Sequence, residues 1–373
     1  MRRRLFPLVL LLACAVARAQ PAPQLAGKAW LLADLTSGQV LAEEKADERF
    51  APASLTKLMS AYVVFGALRE NKLSVTGRVG VSERAWRAPG ARMFIQPGVP
   101  VVADELIRGM VVQSGNDASI ALAEAVAGSE EKFAALMNRE AARLGMKNTH
   151  FTNATGFSGV QHYSTARDLY LLAGALIRDF PEEYARYYAG KEYRYNNITQ
   201  INRNRLLWLD PSVDGVKTGY TEAAGYCLVA SSRRGGRRLL TVLLGASSDS
   251  SRAQESQKLL NWGYQFFDGV RLFAHDEAVK AVAVWKGSAS EVKAGFAEGL
   301  VVTVPKGQAE KLKAQLLTHP PVVAPVARGQ RVGVLRVQWD GKPLGEYPVV
   351  ALESVGVAGF FGRAWDTLRL LFK

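Results

Sequence analysis

The sequence predicts an α/β (α+β) layered domain, then a small all-β domain, then a short amphipathic helix. Three observations carry this expectation. Strand-like runs stand at both ends of the first 270 residues or so, with helical periodicities between them. From about Leu272 the texture changes to short Val-rich runs between Gly and Pro turns. The final stretch, 354–373, carries an apolar stripe at helical spacing.

The elements follow in chain order. Residues 29–33 read as a strand, Thr36-Ser37-Gly38 as a turn and 39–42 as its return strand, a hairpin signature. Pro52 opens a helix whose Leu55, Leu58, Met59, Tyr62 and Val63 form one apolar face. Asp104 is placed to cap a helix over 105–112, and Asn116 or Asp117 one over 118–127. Residues 130–144 are amphipathic through Phe133, Leu136, Met137 and Leu144, and Gly145 ends them. Strands resume at 213–217, and 227–232 and 238–245 flank the turn Arg233-Arg-Gly-Gly236. Leu259, Leu260, Trp262, Phe266 and Phe267 mark an apolar helix. In the second domain 279–284, 301–304, 332–337 and 347–352 are the expected strands.

The ends and the composition bound what the chain can be. Met1-Arg2-Arg3-Arg4 precedes an apolar run from Leu5 to Ala17, and Ala17-Arg18-Ala19 supplies small residues two apart. These are the parts of a secretory signal peptide over 1–19, and the run is too short for a permanent span. Cleavage is expected after Ala19; Leu11-Leu12-Ala13 before Cys14 is a weaker lipoprotein variant. Residues 1–19 hold four arginines and no acids, so the net charge falls from +13 to 13 − 4 = +9. Such a surface suits acidic polymers or anionic lipid, and no aromatic-and-basic stripe points to nucleic acid. With Cys14 gone, Cys227 has no disulfide partner and reads as a packed thiol in a strand rather than a nucleophile. No zinc-type Cys/His spacing occurs, so no metal and no cofactor are expected. The expected divisions are 1–19, 20–270, 271–353 and 354–373.

Three short motifs carry chemistry. In Ser54-Leu55-Thr56-Lys57 the hydroxyl and the amine lie within one helical turn. A serine needs a base to become a nucleophile, and a lysine is a base only when burial or nearby positive charge lowers its pKa. Alone the pair also reads as a capping serine with a solvated lysine. Ser114-Gly115-Asn116 lies between two helices, where a glycine turn can aim both side chains into a cleft, or simply cap the next helix. Lys217-Thr218-Gly219 ends a strand whose edge could receive an extended peptide, with a fixed charge, a hydroxyl and room for close approach. Its alternative is a strand end before a turn. Each is weak singly; the set S-x-x-K, S-x-N and K-T-G in this order is the one used by β-lactamases and penicillin-binding proteins.

With these motifs the sequence resembles the low-molecular-mass penicillin-binding proteins, the D-alanyl-D-alanine carboxypeptidases of peptidase family S11. The resemblance extends to Ala53-Ser-Leu-Thr-Lys-Leu58, Leu106-Ile-Arg-Gly109, Gln113-Ser-Gly-Asn-Asp117, Lys147-Asn-Thr-His-Phe151, Asn202-Arg-Asn204, Val213-Asp-Gly-Val-Lys-Thr-Gly219 and Ala224-Gly-Tyr226. It implies a β-lactamase/transpeptidase-like serine acyl-transferase domain that removes the terminal D-alanine from peptidoglycan stem peptides. By the same resemblance Ser54 attacks, Lys57 takes its proton, and Ser114 passes a proton to the leaving nitrogen. The backbone N–H groups of Ser54 and Tyr220 form the oxyanion hole. Lys217 and Thr218 meet the substrate carboxylate and Asn116 meets a peptide amide; Arg203 and Arg252 match family-typical arginines, and either Arg252 assists the carboxylate or the two serve surface or structural ion pairing. β-Lactam antibiotics are implied as acylating inhibitors.

Two departures are visible. Tyr220 stands where many members have histidine, and 88–91 looks shorter than in some members. In the tail, Phe361, Ala364, Trp365, Leu368 and Phe372 form a stripe that Arg363, Asp366 and Arg369 avoid. That suits a helix lying in the membrane interface, or docking on the β domain. The family's C-terminal anchor implies inner-membrane lipid as the partner of 354–373 and a periplasmic location at the outer face of that membrane. The competing readings are a β-lactamase, which lacks support because no E-x-x-L-N element lies between Ser114 and Lys217, and a non-catalytic wall-binding protein.

Overall fold

A computed structural model describes residues 21–318 and 321–360, together with residue 366. The signal-peptide reading over 1–19 and the stripe positions Phe361, Ala364, Trp365, Leu368 and Phe372 lie outside the described residues.

The first domain is built on a five-stranded antiparallel sheet. Its strands are β1 (Ala29–Asp34), β2 (Gln39–Glu44), β3 (Val213–Thr221), β4 (Gly225–Arg234) and β5 (Arg237–Ala246), in the order β2-β1-β5-β4-β3. The β4–β5 hairpin turns at Gly235 and Gly236, with φ +56° and +82°; a two-residue turn with both φ positive matches strand twist and favours glycine. All six residues of β1 are buried because both faces of the sheet are covered. Leu31, Ala33, Val242 and Leu244 face a large helical core. Trp30, Leu32, Leu239 and Leu243 face a second core against Leu259, Leu260 and Trp262.

The helical layer holds α1 (Lys57–Arg69), α2 (Asn116–Ala127), α3 (Glu130–Arg143) and α4 (Ala166–Asp179); α5 (Asp249–Phe266) covers the other face. The expected single apolar face of α1 is too narrow a description. Ala61, Val64 and Phe65 are buried as well, so the helix runs through the core rather than along it. The helix expected over 105–112 is also different. It spans Ala103–Arg108 and passes into a π-helical turn over Gly109–Gln113. Asp104 does not cap it. Its carboxylate takes the Arg108, Arg186 and Tyr187 side chains instead. Helix α3 starts as the sequence suggests, with Ser129 Oγ accepting the Lys132 N–H.

At Phe267 the chain leaves α5 and enters a strand, Phe267–Phe273, which pairs with Leu300–Pro305. Phe267 is therefore a strand residue, not the end of the apolar helix. A six-stranded sheet follows, with Lys342–Ala351 and Glu291–Phe296 at its centre; Val292, Val337 and Val349 from it share a core with Val302 of the Leu300–Pro305 strand. The five-stranded sheet is tied to the Leu300–Pro305 strand by polar groups. Buried Asp34 accepts from Arg237 Nε at 2.5 Å and Thr303 Oγ1 at 2.8 Å, and Gln39 exchanges two hydrogen bonds with the Thr303 backbone. Asp366 accepts the Lys286 N–H at 2.6 Å. No helix among the described residues is long and apolar enough to cross a membrane.

Candidate active site

Ser54 stands in a 3-10 turn, Ala53–Thr56, that runs directly into α1. Ala53 has φ +48°, an uncommon conformation for a side-chain-bearing residue and one often found at functional turns. Gly156 packs onto this turn so closely that a Cβ would lie 1.8 Å from the Ala53 carbonyl oxygen.

Lys57 is buried beneath Ser54. Its Nζ lies 3.1 Å from Ser54 Oγ, 2.7 Å from Asn116 Oδ1 and 2.7 Å from the Thr155 carbonyl. Burial pushes its pKa down to about 7; Asp117 opposes the shift, Arg203 adds to it, and Glu130 opposes it. The neutral amine is therefore accessible near neutral pH. Two of its three neighbours are carbonyl oxygens, which only accept. The two hydrogens of a neutral amine must go to them, so its lone pair faces Ser54 Oγ. The orientation of Asn116 follows from the same rule, because its Nδ2 donates to the Pro89 carbonyl at 2.7 Å, an acceptor-only group.

The π-helical turn Gly109–Gln113 ends on Ser114 in a left-handed conformation, φ +66°. Such turns occur often at functional sites. Ser114 Oγ is buried and has no hydrogen-bond partner, so it stays free for a proton or a substrate atom. Asp117, one residue beyond the motif, accepts the N–H groups of Met93 (3.0 Å), Phe94 (2.9 Å) and Ala118 (2.9 Å). With the Asn116 N–H on the Ala91 carbonyl (2.7 Å), this pins the 88–95 loop as one wall of the cleft.

Strand β3 is the sheet edge and passes over the Ser54 turn; a Cβ on Gly219 would lie 3.1 Å from the Pro52 carbonyl. Thr218, Gly219 and Tyr220 line a cleft of about 370 Å³ with Ser54, Ser114, Asn116 and Arg252. Arg252 is buried, donates to the Gly219 carbonyl at 3.2 Å and pairs with Asp249. Lys217 is buried too and donates to the Thr218 carbonyl at 3.0 Å. Burial, with Lys57, Arg252 and Arg203 around it, holds its pKa well below the usual lysine range. Tyr220 is half exposed and lies on Tyr226, ring centroids 4.3 Å apart. Cys227 is fully buried and burial pushes its thiol up to about 11, as a packed core thiol.

The three motifs, the outer two of which begin 163 positions apart (217 − 54), thus converge on one cleft with Arg203 and Arg252. Sequence reasoning missed the supports: Asp117, Glu130, the Asn153–Thr155 segment, Gly156 and His162. Asn153 Oδ1 accepts the N–H groups of Thr155, Gly156 and Phe157, shaping the turn that presents the Thr155 carbonyl. His162 Nδ1 accepts the Thr152 N–H at 3.0 Å, so Nε2 carries the proton and donates to Thr56 Oγ1 at 2.8 Å. Asn153 and Gly156 gave a local signal as turn formers and Asp117 one as a helix cap, but none of these pointed to the cleft.

The chain matches known proteins along most of its length. The family model for D-alanyl-D-alanine carboxypeptidase, peptidase S11, matches residues 15–248, and that for the penicillin-binding protein 5 C-terminal domain matches 267–357. The chain is 47% identical to the D-alanyl-D-alanine carboxypeptidase DacC of Escherichia coli K12 over 94% of this chain and 90% of that one. It is 40% identical to DacA of the same organism over 94% and 89%. The crystal structure of penicillin binding protein 5 from Haemophilus influenzae superposes with a TM-score of 0.84 at 37% identity, covering 90% of this chain and 99% of that one. The chain belongs to the D-alanyl-D-alanine carboxypeptidases of peptidase family S11.

Proposed function

We propose that the chain is a serine-type D-Ala-D-Ala carboxypeptidase that removes the terminal D-alanine from peptidoglycan stem pentapeptides through an acyl-enzyme on Ser54. The observation that carries this is the Lys57 amine, buried, held to two carbonyl acceptors and thereby turned toward Ser54 Oγ at 3.1 Å. In the forward step Lys57 takes the Ser54 proton while Oγ adds to the carbonyl of the penultimate D-alanine. The backbone N–H groups of Ser54 and Tyr220 receive the oxyanion, a contribution of about 3 kcal/mol for one such donor. Ser114 gives its hydroxyl proton to the departing nitrogen and is reprotonated by Lys57, which leaves the amine neutral once more. Water then releases the acyl group, with Lys57 again as base.

The substrate's carboxylate is met by Lys217, Thr218 and Arg252. Asn116 has a second Nδ2 hydrogen beyond the one Pro89 takes, and it serves a substrate carbonyl. The same nucleophile accounts for acylation by β-lactams; the related penicillin-binding protein D2 of Listeria monocytogenes has been crystallised in ampicillin- and cefotaxime-bound forms. The enzyme works on the wall outside the cytoplasm: residues 1–19 direct export, 20–270 form the peptidase domain, 271–353 the β-rich spacer, and 354–373 lie on the outer face of the inner membrane.

The test is release of D-alanine from a diacyl-Lys-D-Ala-D-Ala peptide, with fluorescent penicillin labelling in parallel. Wild type releases D-alanine and takes the label, and Ser54→Ala does neither. Rapid penicillin turnover without peptide cleavage would make the chain a β-lactamase. Neither reaction, in a folded protein, would make it a wall-binding protein.

A further inference from the structure

Lys57 reaches the Thr155 carbonyl, and something must hold that carbonyl still. The segment has no regular secondary structure. One residue behind Thr155, the Ala154 N–H donates to Glu130 Oε1 at 3.0 Å, and the Ala154 carbonyl accepts from Ser60 Oγ of α1 at 2.7 Å. Glu130 is the first residue of α3 and is only 5% exposed. Its other oxygen takes Arg84 Nη2 at 2.6 Å, and Arg84 Nη1 holds exposed Glu131 at 2.7 Å. A chain of contacts therefore runs from the surface to the nucleophile: Arg84, Glu130, Ala154, Thr155, Lys57, Ser54.

We propose that Glu130, clamped by Arg84, is a positioning residue for the base: it fixes the 154–155 backbone so that the Thr155 carbonyl claims one Lys57 hydrogen and leaves the lone pair on Ser54. The proposal rests on the assignment of Lys57 as base. A carboxylate is required at 130 because both of its partners are donors. Glutamine has one acceptor oxygen, so either the Ala154 N–H or the Arg84 N–H is left unsatisfied. An unsatisfied donor here loosens the segment on which the lysine hangs. The carboxylate also acts at a distance, since its negative charge favours the protonated amine. The charged groups around Lys57 are Asp117 on α2, Glu130 on α3, Arg203 after the 192–201 hairpin and Lys217 on β3; Arg84 and Glu131 face Glu130 itself.

Two effects of opposite character follow for Glu130→Gln. The plateau rate of acylation falls, by about tenfold for a base displaced by a fraction of an ångström. The rising limb of the pH profile moves to lower pH, because a charge that held the proton on Lys57 is gone. A residue that merely stabilised the fold would move neither once the folded fraction is corrected.

The experiment measures the second-order rate of fluorescent penicillin acylation from pH 5 to 9.5, on the full mature chain, with circular dichroism and melting to fix the folded fraction. Glu130→Gln is compared with Arg84→Gln, whose side chain is half exposed, and with Glu131→Gln as control. The expected result is a lowered plateau and an acid-shifted limb in Glu130→Gln, a lowered plateau in Arg84→Gln, and the wild-type profile in Glu131→Gln. An unchanged profile in folded Glu130→Gln overturns the proposal. So does a loss that tracks only the unfolded fraction; should Glu130→Gln not fold, an Arg84→Gln plateau equal to wild type does the same. Absence of labelling in wild type would instead overturn the assignment of the nucleophile and base.

Discussion

Placing a carboxylate at Asn116 tests the electrostatics of the base from within 3 Å. Asn116→Asp keeps the shape and keeps an oxygen 2.7 Å from Lys57 Nζ. It also adds a negative charge, and a close opposite charge moves a pKa by about one to three units toward the charged form. In wild type, with Lys57 at about 7, half of the amine is neutral at pH 7 and about one hundredth at pH 5. The acylation rate should therefore climb roughly fiftyfold from pH 5 to 7 and level off by pH 8.5. In Asn116→Asp a shift of one to two units cuts the rate at pH 7 by about five- to fiftyfold, and the loss shrinks as pH approaches 9.5. The assay is stopped-flow or quenched labelling with fluorescent penicillin across that range. A loss of equal size at every pH would refute the reasoning. It would show that Asn116 contributes only contact and that Lys57 does not titrate in the working range.

Three further outcomes follow from the same coordinates. Gly156→Ala places a Cβ against the Ala53 carbonyl at a φ of +93°, so acylation should fall about a hundredfold with a lowered melting temperature; a wild-type rate would contradict the packing of this turn on the nucleophile. His162 is held neutral, its pKa pushed down to about 4 by burial and then by His150. The unfolded chain binds that proton first, so stability should fall from about pH 6.5 down to about pH 4, by up to about 3 kcal/mol, and His162→Gln should flatten urea-unfolding free energies over that window. Lys217 is held low by burial and neighbouring cations, so binding of a peptide carboxylate to Ser54→Ala should draw in a proton. Calorimetry in buffers of different ionisation enthalpy reads it, and an amide-capped peptide should show no uptake.

The sequence carried the proposed reactive groups and hid their supports, for a physical reason. Ser54 and Lys57 share a turn, and Lys217, Thr218 and Gly219 are consecutive on one strand, so spacing alone brings the groups of each motif within reach of one another. Residues that align them act across the fold. Glu130 looks like an ordinary first-turn acid of an amphipathic helix, and only the tertiary structure brings the Ala154 N–H to it. Asp117 looks like a helix cap, yet its oxygens also hold a loop more than twenty residues upstream. The π-helical turn before Ser114 looks like plain helix in the sequence because Met110, Val111 and Val112 continue the apolar pattern; their periodicity does not register one extra residue per turn. In the β-rich domain the Val-rich strands stood out, whereas Leu312–Thr318, with Lys, Ala, Gln and three Leu, pairs along Arg331–Trp339 without a strand-like composition.

The account turns on one lysine being a neutral base at working pH. Side-chain NMR of lysine-labelled protein, with Lys57 assigned by Lys57→Arg, measures its protonation directly. The structure predicts a midpoint near 7 that moves up in Asn116→Asp. A Lys57 signal that stays protonated until pH 10 would contradict the claim.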